Sequence, residues 1–243
     1  MDKGEKFTMG RYTEQTEPLG VNIIPGQTWG TYKFPSGEVV KIQELSDQVY
    51  YDSEIIPIAV GPGTEYRMCV SGTFIAAGVG AKVPRHDFNL PEWGRVPVGW
   101  LYRVQMVGFH LLAGTLFTTL RDVTNDTYMQ FFTGGQTIEK EGLAYYYPSG
   151  GGLGGAVALD GGVVANEVSS LNIGSPSVAS TVPMRYPVDL PEQVSFQVNL
   201  FFPIGLALAP DPLMIARYGA VLGPTLGAHL YTDLRIIRYR IVR

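Results

Sequence analysis

Alternation is the dominant pattern in this chain. In "QVSFQVNLF", Val194, Phe196, Val198 and Leu200 fall on one side and Ser195, Gln197 and Asn199 on the other. That period of two marks a strand with one buried face. "GWLYRVQMVGFHLL" (99–112) is a long run of β-forming apolar residues carrying Arg103 and Gln105, and it predicts a strand buried on most of both faces. "TEYRMCVSGTFIAAG" (64–78) and "NIIPGQTWGTYKF" (22–34) read as strands too, with Pro25 at a strand start or edge. In "LYTDLRIIRYRIVR" the phase slips: Leu234 and Ile236 share a face, then Ile237, Tyr239 and Ile241 take over its role. Two adjacent inward residues predict a β-bulge near Ile236–Ile237.

Helical spacing is weak. No window repeats apolar residues at 3, 4 and 7 over three turns. "EVVKIQELSDQVYY" (38–51) comes closest, and its β-branched content fits a strand followed by a turn equally well. Thirty glycines and seventeen prolines interrupt the chain every few residues, a density of breakers that long helices do not survive. Many strands between Gly/Pro turns, without βα alternation, predict an all-β, antiparallel sandwich or jelly roll. A single barrel spanning 19–243 suits the length. A double jelly roll would leave only about 110 residues per barrel, near the low end of domain size. Residues 1–18, polar and mixed in charge, read as a flexible or interface-ordered arm.

Composition sharpens this picture. Charged residues make up 16% of the chain, against about 25% in ordinary soluble domains, which implies a surface covered by copies of the chain or by partners. The net charge of −4 argues against a protein that neutralises nucleic acid alone. The N-terminus lacks the apolar stretch of a secretory signal. No run approaches the roughly 18 apolar residues of a membrane span. The single cysteine, Cys69, allows no internal disulfide and reads as a small core residue.

Four chemical features need weighing. Gly150, Gly152 and Gly155 in "SGGGLGGA" match the spacing G-x-G-x-x-G of a dinucleotide loop. The match fails on context: Pro148 breaks the preceding run, and Gly161 and Gly162 would abort the following helix. No acidic residue stands between Glu167 and Asp189 to bind a ribose. No cofactor is expected. The histidines His86, His110 and His229 lie far apart without metal-binding spacing. His110 reads as a hydrogen-bonded core residue, and His86 with Asp87 as an interface switch or a plain loop pair. Asp122, Asn125 and Asp126 offer oxygen ligands for Ca²⁺, though such clusters more often mark turns. Arg238 and Arg240 share a face of the last strand, where they could meet phosphate, an acidic neighbour or a lipid headgroup, or simply protect a sheet edge. Trp29, Trp93 and Trp100 suggest a sugar-stacking platform or ordinary packing.

From Tyr50 onward several pieces occur in a familiar order: "YYDSEIIPIAVGPGTEYRMCVSG", "FNLPEWGRVPVGWLYRVQMVGFHLL", "FFTGGQTIEKEGLAYYYPSGGGLGGAVAL", "PVDLPEQVSFQVNLFFPIGLAL" and "RIIRYRIVR". In this the chain resembles the capsid-type jelly-roll proteins of small tailless icosahedral bacteriophages and related prophages. The first 49 residues and the short basic ending depart from that pattern. The resemblance implies a structural protein of the virion that assembles into a shell, with no catalytic residues and no small-molecule substrate. Its partners would be copies of itself and other capsid proteins, with an internal membrane or the packaged genome reached through Arg238 and Arg240. The loops at Gly150–Gly155 and Ser175–Pro176, and the arm before Pro18, are the expected subunit contacts. The alternative is a carbohydrate-binding β-sandwich such as a phage spike or lectin-like module.

Overall fold

The computed structural model describes residues 19–23, 25–76, 78–112, 115–134, 137–147, 156–158, 168–170, 184 and 186–243. The chain begins with β1 (Gly20–Ile23), β2 (Trp29–Lys33), β3 (Val39–Pro57), β4 (Ala59–Val60), β5 (Thr64–Met68) and β6 (Trp100–Leu111). Helix α1 (Phe117–Asp126) leads into β7 (Tyr128–Thr133), β8 (Thr137–Leu143), β9 (Ala156–Ala158) and β10 (Val168–Ser170). There follow β11 (Val188–Leu190), β12 (Phe196–Phe202), β13 (Leu206–Ala207), helix α2 (Pro212–Leu222) and β14 (Leu226–Val242). The fold is mostly β, 53% strand and 14% helix. Among the described residues no helix is long and apolar enough to cross a membrane.

Two antiparallel sheets carry the architecture. A six-stranded sheet runs β1-β2-β3-β14-β6-β11, and a four-stranded sheet runs β5-β12-β7-β8. Between them lies the main core. From β12 it takes Phe196, Val198, Leu200 and Phe202, all buried, as the alternation in that segment predicts. Opposite stand Tyr102, Val104, Val107 and Phe109 of β6 and Leu234 and Ile236 of β14. Each such apolar side chain contributes about 1.5–3 kcal/mol by leaving water. The described strands of these two sheets form one sandwich.

The six-stranded sheet also has a second apolar face. Tyr32, Ile42, Leu101, Tyr239 and Ile241 bury one another on it. There the sheet curls until its outer strands meet: the Val21 amide of β1 donates to Asp189 Oδ2 of β11 at 3.3 Å. Arg103 clamps the same carboxylate at 2.7 and 3.0 Å. Gly20 makes this approach feasible, since its φ is +89° and a Cβ there would stand 2.9 Å from Asp189 Oδ2.

This second core corrects the reading of the last strand. Against β6 the register slips between Arg235 and Ile236, and against β3 between Arg238 and Tyr239. In both cases the extra residue sits on the partner strand, so β14 keeps strict alternation through Ile236–Ile237. Leu234 and Ile236 face the sandwich core, whereas Tyr239 and Ile241 face the curled core on the other side. The apolar phase changes because the covered face changes.

Other expectations are also revised. The 38–51 segment is part of a 19-residue strand without a turn. The 22–34 segment is a hairpin, with Pro25 in its turn. The 64–78 strand stops at Met68, because Cys69 takes a φ of +70°. Two helices stand where apolar spacing marks none. Asp211 accepts the Leu213 amide at 2.8 Å and precedes Pro212, a standard helix opening. The same buried carboxylate accepts the Leu116 amide ahead of α1 at 3.1 Å, tying the two helix starts together.

Candidate functional site

Several predicted site residues, namely Gly150, Gly152, Gly155, Ser175, Pro176 and the arm 1–18, lie outside the described residues. Asp122, Asn125 and Asp126 do not lie in a loop. They lie on α1, and Asp122 pairs with the adjacent Arg121 at 2.7 Å. Among the described residues no group of three or more His, Cys, Asp or Glu is set to hold a metal.

Arg238 and Arg240 do share a face, but edge protection is overturned as their role, because β14 lies between β3 and β6. Arg238 donates to Ser46 Oγ at 2.7 and 3.0 Å, and its guanidinium lies 5.4 Å from the Trp100 ring centre. Arg240 is exposed. Across the sheet, cross-strand pairing sets Trp29, Gln43, Arg240 and Trp100 in one row on one face. Two of the three tryptophans thus flank a cationic, amide-bearing strip. Trp93 instead packs on Phe88 at 4.3 Å.

The fold gathers what the sequence scatters. On the opposite face of β14, His229 stacks on Tyr231 at 4.6 Å, and Tyr231 on His110 at 5.0 Å. His110 Nδ1 lies 3.1 Å from Asp233 Oδ2 at one end of this stack. At the other, Asp87 Oδ1 lies 2.6 Å from His86 Nδ1, 3.5 Å from Arg217 Nη2 and 3.8 Å from His229 Nε2. His229 is fully buried with neither ring nitrogen hydrogen-bonded. Burial first, then the nearby Arg217 charge, pulls its pKa down to about 3. It is a neutral imidazole at any ordinary pH.

A second polar cluster is drier still. β3 places Asp52 and Glu54 two residues apart, so both point to one face. The segment after β5 returns along the part of β3 that β2 leaves uncovered, with Asp52 bridging Phe88. It carries Lys82 inward: Lys82 Nζ lies 2.9 and 3.0 Å from the two Asp52 oxygens and 3.6 Å from Glu54 Oε2. The three side chains are 1%, 0% and 1% exposed. Asp52 Oδ2 also accepts the Cys69 amide at 2.6 Å, and Glu54 Oε1 accepts the Ile75 amide at 2.7 Å and the Ile55 amide at 3.2 Å. Phe74 and Trp93 wall the ammonium at 5.6 and 5.8 Å. Burial raises both carboxyl pKa values, with the Lys82 charge opposing it. Burial likewise pushes the Cys69 thiol well up. The polar "DSE" inside an apolar strand was the only sequence signal of this cluster.

No protein-family model, curated protein or solved structure matches this chain.

Proposed function

We propose that this chain is a jelly-roll capsid subunit that assembles with copies of itself, and with other capsid proteins, into the icosahedral shell of a bacteriophage. The observation that carries the reading is the strand order. β3-β14-β6-β11 packs on β5-β12-β7-β8, and this division of eight strands between two four-stranded layers supports a nested Greek-key, jelly-roll reading. The β1–β2 hairpin extends one layer. That fold also serves lectins and cupins, so fold alone does not select shell assembly. The surface favours it: charged residues are few, and large apolar side chains stand open, with Val221 91%, Tyr186 75% and Ile204 71% exposed. Such groups become buried when subunits associate. Arg238 and Arg240 are the candidate contacts with an internal membrane or the packaged genome, and the location would be the virion.

Electron microscopy and light scattering of the purified full-length chain test this. Symmetric shells or stable rings and trimers are expected; a monomer at all concentrations would overturn it. One observation favours a second reading, a carbohydrate-binding sandwich: the Trp29–Gln43–Arg240–Trp100 row pairs stacking rings with hydrogen-bonding groups. A monomer retained on a glycan array, with retention lost in Trp29→Ala, would select it.

A further inference from the structure

The Asp52–Lys82–Glu54 cluster is more than an ion pair. Lysine is almost never fully buried without compensation, and here one ammonium faces two carboxyl groups where water does not reach. Three charges in that space would leave a net negative charge in a medium of low dielectric, which is strongly opposed. One carboxyl therefore keeps a proton. The remaining salt pair is itself costly to bury, and a neutral amide of the same atoms would not be.

We propose that Lys82 and Asp52 condense spontaneously into an intramolecular isopeptide bond, with Glu54 as the proton-transfer catalyst. The Lys82 ammonium first passes a proton to the Asp52 carboxylate, leaving a neutral amine and a carboxylic acid. The Nζ lone pair then attacks Asp52 Cγ and the C–N bond forms. Oδ2 gains the developing negative charge and is held by the Cys69 amide, already 2.6 Å away. Glu54 Oε1 is occupied by two backbone amides, which leaves Oε2, the oxygen facing Nζ at 3.6 Å, to move protons. Protonated Glu54 gives its proton to the departing hydroxyl, the C–O bond breaks and water leaves. Its carboxylate recovers a proton from the nitrogen and ends as it began. The balance is one ammonium plus one carboxylate to one secondary amide plus one water, with no oxidant, metal or cofactor required. Asp52 Cγ and Lys82 Nζ are held together by β3 on one side and the returning segment on the other, so the encounter is already intramolecular. The product staples that segment to the strand edge it covers.

Intact-mass spectrometry of the folded full-length protein tests this, followed by protease mapping. The expected result is a mass lower than the sequence mass by one water, with a branched peptide joining Lys82 to Asp52. A wild-type chain at full sequence mass overturns the proposal, as does a lost water mapped elsewhere. Lys82→Arg should restore the full mass; persistence of the loss there also overturns it. Glu54→Gln, checked for native folding by circular dichroism, should slow bond formation by roughly 100-fold or more. Cross-linking at an unchanged rate would remove Glu54 from the mechanism. If either variant fails to fold, the wild-type mass and branched peptide still decide.

Discussion

The two buried polar clusters flank the same pair of strands, β3 and β14, and solve the same problem in opposite ways. At Lys82 the charges are brought fully inside, and both Asp52 oxygens and both Glu54 oxygens are met by a donor or a cation. At His229 the buried imidazole is simply left neutral, and the one buried carboxylate beside it, Asp87, is met by the Val83 amide at 2.7 Å and by Arg217 reaching in from the solvent rim, 27% exposed. A protein interior accepts charge where partners are matched to it and otherwise selects a group that can shed its charge.

Breaking the matched cluster should have the largest effect. Lys82→Met leaves the buried carboxyl groups of Asp52 and Glu54 without their Lys82 partner, ion pair or amide, and is expected to destabilise the fold by about 3–5 kcal/mol, read as a shift in the urea midpoint. Adding Asp52→Leu to it should recover part of that loss, because the unpaired charge is removed along with its partner. A double variant no better than the single one would show that the carboxyl groups are not the source of the cost.

The neutral cluster should respond to pH instead. The folded pKa of His229, about 3, lies below its unfolded value of 6.5, so between those values the unfolded chain takes up a proton that the native state refuses. Stability is complete above pH 6.5 and falls by up to about 1.4 kcal/mol per unit as the pH drops toward 3. Glu54, and Asp52 in any chain where it has not condensed with Lys82, act in the opposite sense. Their raised values mean that the native state retains protons which the unfolded state releases above pH 3.8 and 4.5. The difference between wild type and His229→Phe isolates the histidine: the variant should lose most of this acid sensitivity while keeping its ring packing against Phe74 and Tyr231. Parallel pH profiles for the two proteins would refute the assignment.

The exposed pair of Arg235 and Asp47, 34% and 44% exposed, offers the smallest effect. Asp47→Ala should cost about 1 kcal/mol or less, and less still in high salt. A larger loss would mean that surface pairing carries weight here that the comparison assigns only to the interior.

The strands were legible where one face is buried along their whole length. β12 and β6 follow directly from alternation and from a continuous apolar run. A register irregularity does lie next to Ile236, but its extra residue is on β6; the phase change in β14 itself arises because its two ends are covered on different faces, which a one-dimensional pattern does not distinguish from a bulge. The start of α2 was visible in Asp211-Pro212, a cap followed by a first-turn proline, but was lost among so many other prolines. The polar clusters were least legible. Asp52 and Glu54 stand out as acidic residues in an apolar strand, yet Lys82 is separated from them by the whole of β4, β5 and the returning segment. The three histidines share no spacing at all. Only the sheet order makes His110, on β6, a neighbour of His229 and Tyr231 on β14.

The placement of β14 has a consequence for how the molecule is made. It lies between β3 and β6 in the middle of the larger sheet, yet it is the last of the described strands along the chain. While the polypeptide is being synthesised, β3 and β6 emerge with a gap between them that nothing can fill until residues 226–242 arrive. Native pairing is thus deferred until synthesis of this region is complete, and then requires joining segments more than a hundred residues apart, an ordering that favours slow folding and a long exposure of unpaired edges.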